Sequence, residues 1–106
     1  MKALLSTKVG PPEALEYLDA PDPVAEEGEV VIAVKAAGVN FPDALMIEDK
    51  YQFKPPRPFA PGGEIAGVLE SVGPGVTNVK VGRRVIGSTG SGGFAEKVKL
   101  QAARVM

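Results

Sequence analysis

AAGVNFPDALMIEDKYQFKPPRPFAPGGEIAGVLESVGPGV, running from Ala36 to Val76, is the stretch on which the reading of this chain turns. It sets an Asn, an Asp, a Tyr and a Glu between glycines and prolines that fix the backbone around them. Polar side chains on a stiff, bent backbone are what a small-molecule pocket requires. Within it, Phe41 to Asp49 can form a short helix. Pro42 suits the first helical position, and Asp43 falls in the first turn, where the helix dipole favours a carboxylate. Lys54 to Pro61 is too rich in proline for a helix or a central strand. Ile65 to Val72 reads as a strand ended by Gly73-Pro74-Gly75.

Outward from this stretch, Glu29 to Ala36 is the clearest strand. Val30, Ile32, Val34 and Ala36 share one face, which is expected to be the core face. Met1 to Ser6 reads as a first strand, and Leu15 to Asp19 as its return after Gly10-Pro11-Pro12. Pro21-Asp22-Pro23 is a stiff spacer. Arg84 to Gly87 and Phe94 to Leu100 are two further short strands around the glycines at 90, 92 and 93. Phe41, Phe53, Phe59 and Phe94 are apolar bulk expected in the core. Gly 13 and Pro 10 are spread through the chain as turn punctuation. Many short segments joined by such turns predict a mainly β fold, a barrel or sandwich of short strands with one short helix.

Composition narrows the function. A chain of 106 residues is one domain. Lys plus Arg is 12 and Asp plus Glu is 13, a net charge of -1, so nothing draws the chain to nucleic acid or to anionic lipid. Apolar residues make up 44%, which argues against disorder. No apolar run is long enough to span a bilayer, and the start is too briefly apolar for a signal peptide. A cytoplasmic protein is the expectation. There is no Cys and no His, which leaves zinc without its usual ligands. No acidic loop has the spacing that harder ions need.

AAGVNFPD (Ala36–Asp43), KYQFKPP (Lys50–Pro56), PFAPGGEIAGVLESVGPGV (Pro58–Val76), VGRRV (Val81–Val85) and GGFAEKV (Gly92–Val98) together resemble the N-terminal, GroES-like catalytic domain of the medium-chain dehydrogenase/reductase superfamily. The branch it is most similar to is that of the zinc-independent quinone oxidoreductases. The resemblance implies a GroES-like, partly open barrel over residues 1–106, expected to lack a few of its elements, with the dinucleotide-binding domain absent from this chain. It implies reduction of a quinone or an activated alkene with NADPH and without zinc. Asn40 stands where zinc-dependent relatives carry a metal-binding Cys, and Gly63 where they carry a His. Asp43 and Glu64 match the acidic neighbours of those ligands.

The resemblance assigns catalytic roles to Asn40 and Asp43. It assigns a substrate and cofactor pocket to Asn40, Phe41, Tyr51, Gly63, Glu64, Gly92 and Phe94, with no metal. An oriented amide could stabilise charge on the substrate oxygen. Each residue also has a plainer reading. Asn40 is a common residue just before a helix. Asp43 is a first-turn charge and is not read as a general base. Tyr51 either lines the pocket mouth or covers the core, and Glu64 is otherwise a solvated strand-end carboxylate. Gly90-Ser91-Gly92-Gly93-Phe94-Ala95 fits a dinucleotide fingerprint, but residues 94 to 100 alternate like a strand, so the match is set aside. Pro58 to Pro61 matches a P-x-x-P form and reads as a rigid crossing loop. Without an adenosine or pyrophosphate site the chain is expected to bind NADPH weakly and to be inactive alone. A homodimer is one expected assembly. The competing reading is a stand-alone GroES-like binding or oligomerisation module. Arg83 departs from the superfamily pattern, which usually has Asp before Arg84, and the sequence supplies no role for it.

Overall fold

The computed structural model describes residues 1–106. Its strands are β1 (Lys2–Leu5), β2 (Glu16–Asp19), β3 (Glu29–Gly38), β4 (Glu64–Val72), β5 (Arg84–Ser88) and β6 (Lys97–Gln101), with one α-helix, α1 (Phe41–Ile47). Short 3₁₀ turns cover Pro12–Ala14 and Ala102–Arg104. Strands β5-β4-β3-β6 form one antiparallel sheet in that order, and β1 and β2 form a separate hairpin. The larger sheet is open. Val105 bridges to Gly87 of β5, so the chain after β6 spans the gap and the sheet curls into a partly open barrel. No helix is long and apolar enough to cross a membrane.

The barrel holds one core of Val30, Ile32, Ile65, Leu69, Val85, Val98, Leu100, Ala102 and Val105. Strand alternation supplies it, as odd residues of β4 and β5 point in and even ones point out. On β3 the expected core face is interrupted. Val30 and Ile32 are buried, and Val34 packs beside them. The register against β4 then shifts between Val34 and Ala36. A bulge of one residue exchanges the two faces. Ala37 therefore packs on the core, and Ala36 lies exposed, contrary to the simple alternation. Val31, assigned to the outer face, is also buried.

Other expectations are corrected by long-range pairing. Phe94 to Glu96 does not begin β6. Leu4 N–H donates to Phe94 O (2.8 Å) and Glu96 N–H to Lys2 O (3.0 Å), so this segment belongs to β1. Of the four phenylalanines only Phe59 is buried; Phe94 is half-buried, and Phe41 and Phe53 are exposed. Phe41 takes the first position of α1, which leaves Pro42 at the second. Pro61 is fully buried and Phe59 bridges to Ser6, so the P-x-x-P segment is an internal loop.

A smaller cluster of Met46, Ile47 and Phe59 seats α1, with Leu15 and Tyr51 against it. Arg57 fastens the end of that helix, which has no basic residue in its own last turn. Its guanidinium donates to Ile47 O (3.0 Å), Asp49 Oδ1 (2.8 Å) and Ser6 Oγ (3.1 Å), and it lies over the Phe59 ring. One planar fork thus joins the helix C-terminus, the residue that follows β1 and the proline loop. An ammonium cannot reproduce that fork. Arg57→Lys is expected to reduce stability by about 1–2 kcal/mol, read as a fall of several degrees in thermal unfolding. An unchanged midpoint would mean that the fork does not fasten the helix.

Candidate functional site

The outer face of the sheet is the ground on which the site is built. Pairing across β3, β4 and β5 sets residues in rows: Gly38–Glu64–Ser88, then Ala36–Ala66–Ile86. Small side chains leave this face low. The loop into α1 rises on one side of it and the Tyr51–Phe53 segment on another. Between them is an open cleft of about 840 Å³, lined by Asn40, Asp43, Tyr51, Phe53, Gly63 and Glu64 among others.

Asn40 precedes α1 in extended conformation (φ -127°). Three hydrogen bonds hold its surroundings. Asn40 N–H donates to Asp43 Oδ2 (2.8 Å), Asn40 Nδ2 donates to Glu64 Oε1 (3.1 Å), and Gly62 N–H donates to Asp43 Oδ1 (3.2 Å). Asp43 is 4% exposed, and each of its oxygens carries a backbone N–H. It clamps the helix start to the glycine turn before β4. The Asn40 side chain is left at the cleft with one N–H given to Glu64 and the other free of any partner in this chain. Glu64 can reach it because Gly38 stands opposite in the ladder. A methyl group on Gly38 would run into the Glu64 side chain.

Two glycine loops close the floor behind Gly63. Gly62 has φ +107° and lies against Phe94; Gly93 N–H donates to Gly62 O (3.0 Å), and Phe94 N–H to Pro61 O (2.9 Å). Thr89 adds its N–H to Gly63 O (2.8 Å) and its hydroxyl to Gly62 O (2.6 Å). No helix starts at the glycines 90 to 93, so they make no pyrophosphate cradle of the dinucleotide type.

The expected site residues are therefore divided. Asn40, Asp43, Tyr51, Gly63 and Glu64 line one cleft. Tyr51 does so while also packing on the Met46, Ile47 and Phe59 cluster. Phe41, Gly92 and Phe94 lie outside its lining. Phe41 turns to solvent from the first helical position, and Phe94 covers Gly62 instead. Gly38, Ile86, Arg104 and Met106 are also part of the wall, without having been expected there. Parity along β5 could have indicated Ile86. Nothing local could have indicated Arg104 or Met106, which arrive through the bridge to β5.

The alcohol dehydrogenase GroES-like domain family matches residues 26–106. The quinone oxidoreductase of Lama guanicoe is 42% identical over 98 residues, which is 91% of this chain and 30% of that protein. A crystal structure of a probable oxidoreductase from Mycobacterium abscessus superposes with a TM-score of 0.93 at 42% identity, over 100% of this chain and 34% of the other. The quinone oxidoreductase of Thermus thermophilus, also solved in complex with NADPH, gives a TM-score of 0.82 at 39% identity, over 100% of this chain and 32% of the other. The chain thus spans about a third of the length of these relatives. It belongs to the alcohol dehydrogenase GroES-like domain family, as an N-terminal domain of the medium-chain dehydrogenase/reductase superfamily in its quinone oxidoreductase branch.

Proposed function

We propose that this chain forms the substrate side of an NADPH-dependent, zinc-independent reductase of quinones or activated alkenes, working in the cytoplasm together with a nucleotide-binding domain. The observation that carries this is the anchored amide of Asn40, held at the cleft by Asp43 and Glu64 with one N–H unspent. A chain with no Cys and no His offers zinc none of its preferred donors, and no group of three acidic side chains converges on a common point. The donor set is instead that of a hydrogen-bonding site.

Ala36, Gly38, Gly63 and Ala66 are the small residues of the cleft lining, and a low floor of this kind suits a flat ring. Reduced nicotinamide, when bound, supplies the hydride equivalent. The residues of this chain bind and orient the acceptor. Asn40 Nδ2 donates to the substrate oxygen on which negative charge grows, an interaction that strengthens toward the transition state. Glu64 fixes the amide plane by accepting the other N–H. Asp43 is a positioning residue, since both its oxygens are given to backbone. Tyr51 and Phe53 restrict water at the mouth.

Binding of a naphthoquinone to the isolated chain tests this reading. Asn40→Ala is expected to weaken it about fivefold, the value of one lost hydrogen bond of about 1 kcal/mol. Gly38→Ala should weaken it less, by displacing Glu64 from the amide. NADPH titrated calorimetrically into the isolated chain should give no tight stoichiometric isotherm. Equal naphthoquinone affinity in the parent chain and Asn40→Ala would refute the assignment of Asn40.

A further inference from the structure

The outer face of the sheet does not end at the cleft beside Asn40. Its next row is Val68 on β4 with Arg84 on β5. Here a second hollow, of about 710 Å³, is lined by Lys35, Arg83 and Arg84 over Val68, Ile86 and Met106. The two hollows share Ala66, Ile86 and Met106, so they form one trough along the strands. Lys35, Arg83 and Arg84 are exposed, and none of the three has an ion-pair partner. Arg104, likewise unpaired, lies in the wall of the neighbouring hollow. The nearest acid along β4, Glu70, is engaged by Lys97 at 3.2 Å. No Asp or Glu occurs from Ser71 to Ala95, so the turn that presents Arg83 and Arg84 is uncompensated locally.

The trough is thus polarised. One end has the Asn40 amide and the Glu64 carboxylate, the middle is Ala66 and Ile86, and the far end is cationic. From the Glu64 row to the Val68 row is four residues of strand, about 13 Å. We infer that the preferred substrate is an elongated amphiphile, a reducible carbonyl group joined through an apolar spacer to an anionic terminus, with the anion held by Lys35, Arg83 and Arg84. This rests on the proposed role of the Asn40 cleft and names the substrate class for it. It also gives Arg83 a role: paired with Arg84, it doubles the guanidinium groups at that end.

The test is calorimetric titration of the chain with a naphthoquinone bearing an ω-carboxyalkyl chain and with the methyl ester of the same compound. The acid is expected to bind roughly tenfold tighter than the ester at low salt. Raising the salt concentration should erase the difference. In the double variant R83S/R84S the acid should fall to the affinity of the ester, while the ester binds as before and reports an intact cleft. Acid and ester binding equally well, both weakened by Asn40→Ala, would overturn this inference and leave the Asn40 reading standing. If neither compound binds, both fall. A double variant that kept the acid's advantage over the ester would also overturn it, since the carboxylate would then be held elsewhere than at Arg83 and Arg84.

Discussion

Gly62→Ala is expected to lower the unfolding free energy by about 3 kcal/mol or more, with a fall in melting temperature of about ten degrees or more. Two causes act together. The backbone of Gly62 has φ +107°, a region that residues with a Cβ rarely enter. A Cβ there would also stand 2.7 Å from Cδ1 and 2.9 Å from N of Phe94, and 3.0 Å from Cα of Gly93. Part of that contact is with backbone, and the backbone is held by the bonds from Gly93 N–H and Phe94 N–H to Gly62 O and Pro61 O. Neither side can yield without unzipping the two loops. Gly63 is the control. Its Cβ would meet Gly90 O at 3.5 Å and Gly90 C at 3.9 Å, ordinary contacts, and its φ is not in the positive region. Gly63→Ala should therefore change stability by less than about 1 kcal/mol. Equal tolerance at the two positions would show that the loop contact does not hold the floor of the cleft.

Asp43→Asn is expected to cost about 3 kcal/mol although it changes the side-chain volume hardly at all. The carboxylate accepts from Asn40 N–H on one oxygen and from Gly62 N–H on the other. An amide can satisfy one of these donors and must turn its own NH₂ toward the second. That loses a charge-assisted bond and sets two donors face to face in a buried place. It also removes negative charge from the first turn of α1, where the dipole favours it. Hydrogen exchange distinguishes this from a general loosening. The amide protons of Asn40 and Gly62 should lose protection well before those of β3 and β4, whose ladder is untouched. If those two amides stayed as protected as in the parent chain, the clamp would not be what holds Asn40 at the cleft.

Much of this molecule was readable along the chain. The alternation in Glu29–Ala36, the strand read over Ile65–Val72, the short helix read over Phe41–Asp49 from Pro42 and Asp43, and the Gly/Pro turns locate β3, β4, α1 and their ends to within a few residues. The residue types that can do chemistry were readable too, because an absent thiolate and an absent imidazole are facts of composition. Asn40, Asp43, Tyr51, Gly63 and Glu64 do come to one cleft. Phe41, Gly92 and Phe94 do not, since a side chain's direction at a helix start or a glycine loop depends on what packs across from it.

Local pattern by itself therefore determined the strands, the helix and the kind of chemistry open to the chain. Tertiary structure alone decided which faces those residues present. A one-residue bulge in β3 sends Ala37 inward and Ala36 out to the trough, and no local propensity announces it. Arg57 becomes the fastening of α1 only after the proline loop crosses it. Lys35 and the Arg83–Arg84 pair, far apart along the chain, meet only because β3, β4 and β5 lie side by side. Alternation is a property of neighbours along the chain, whereas contact across a sheet is set by register, and register is fixed by the sum of all its pairs.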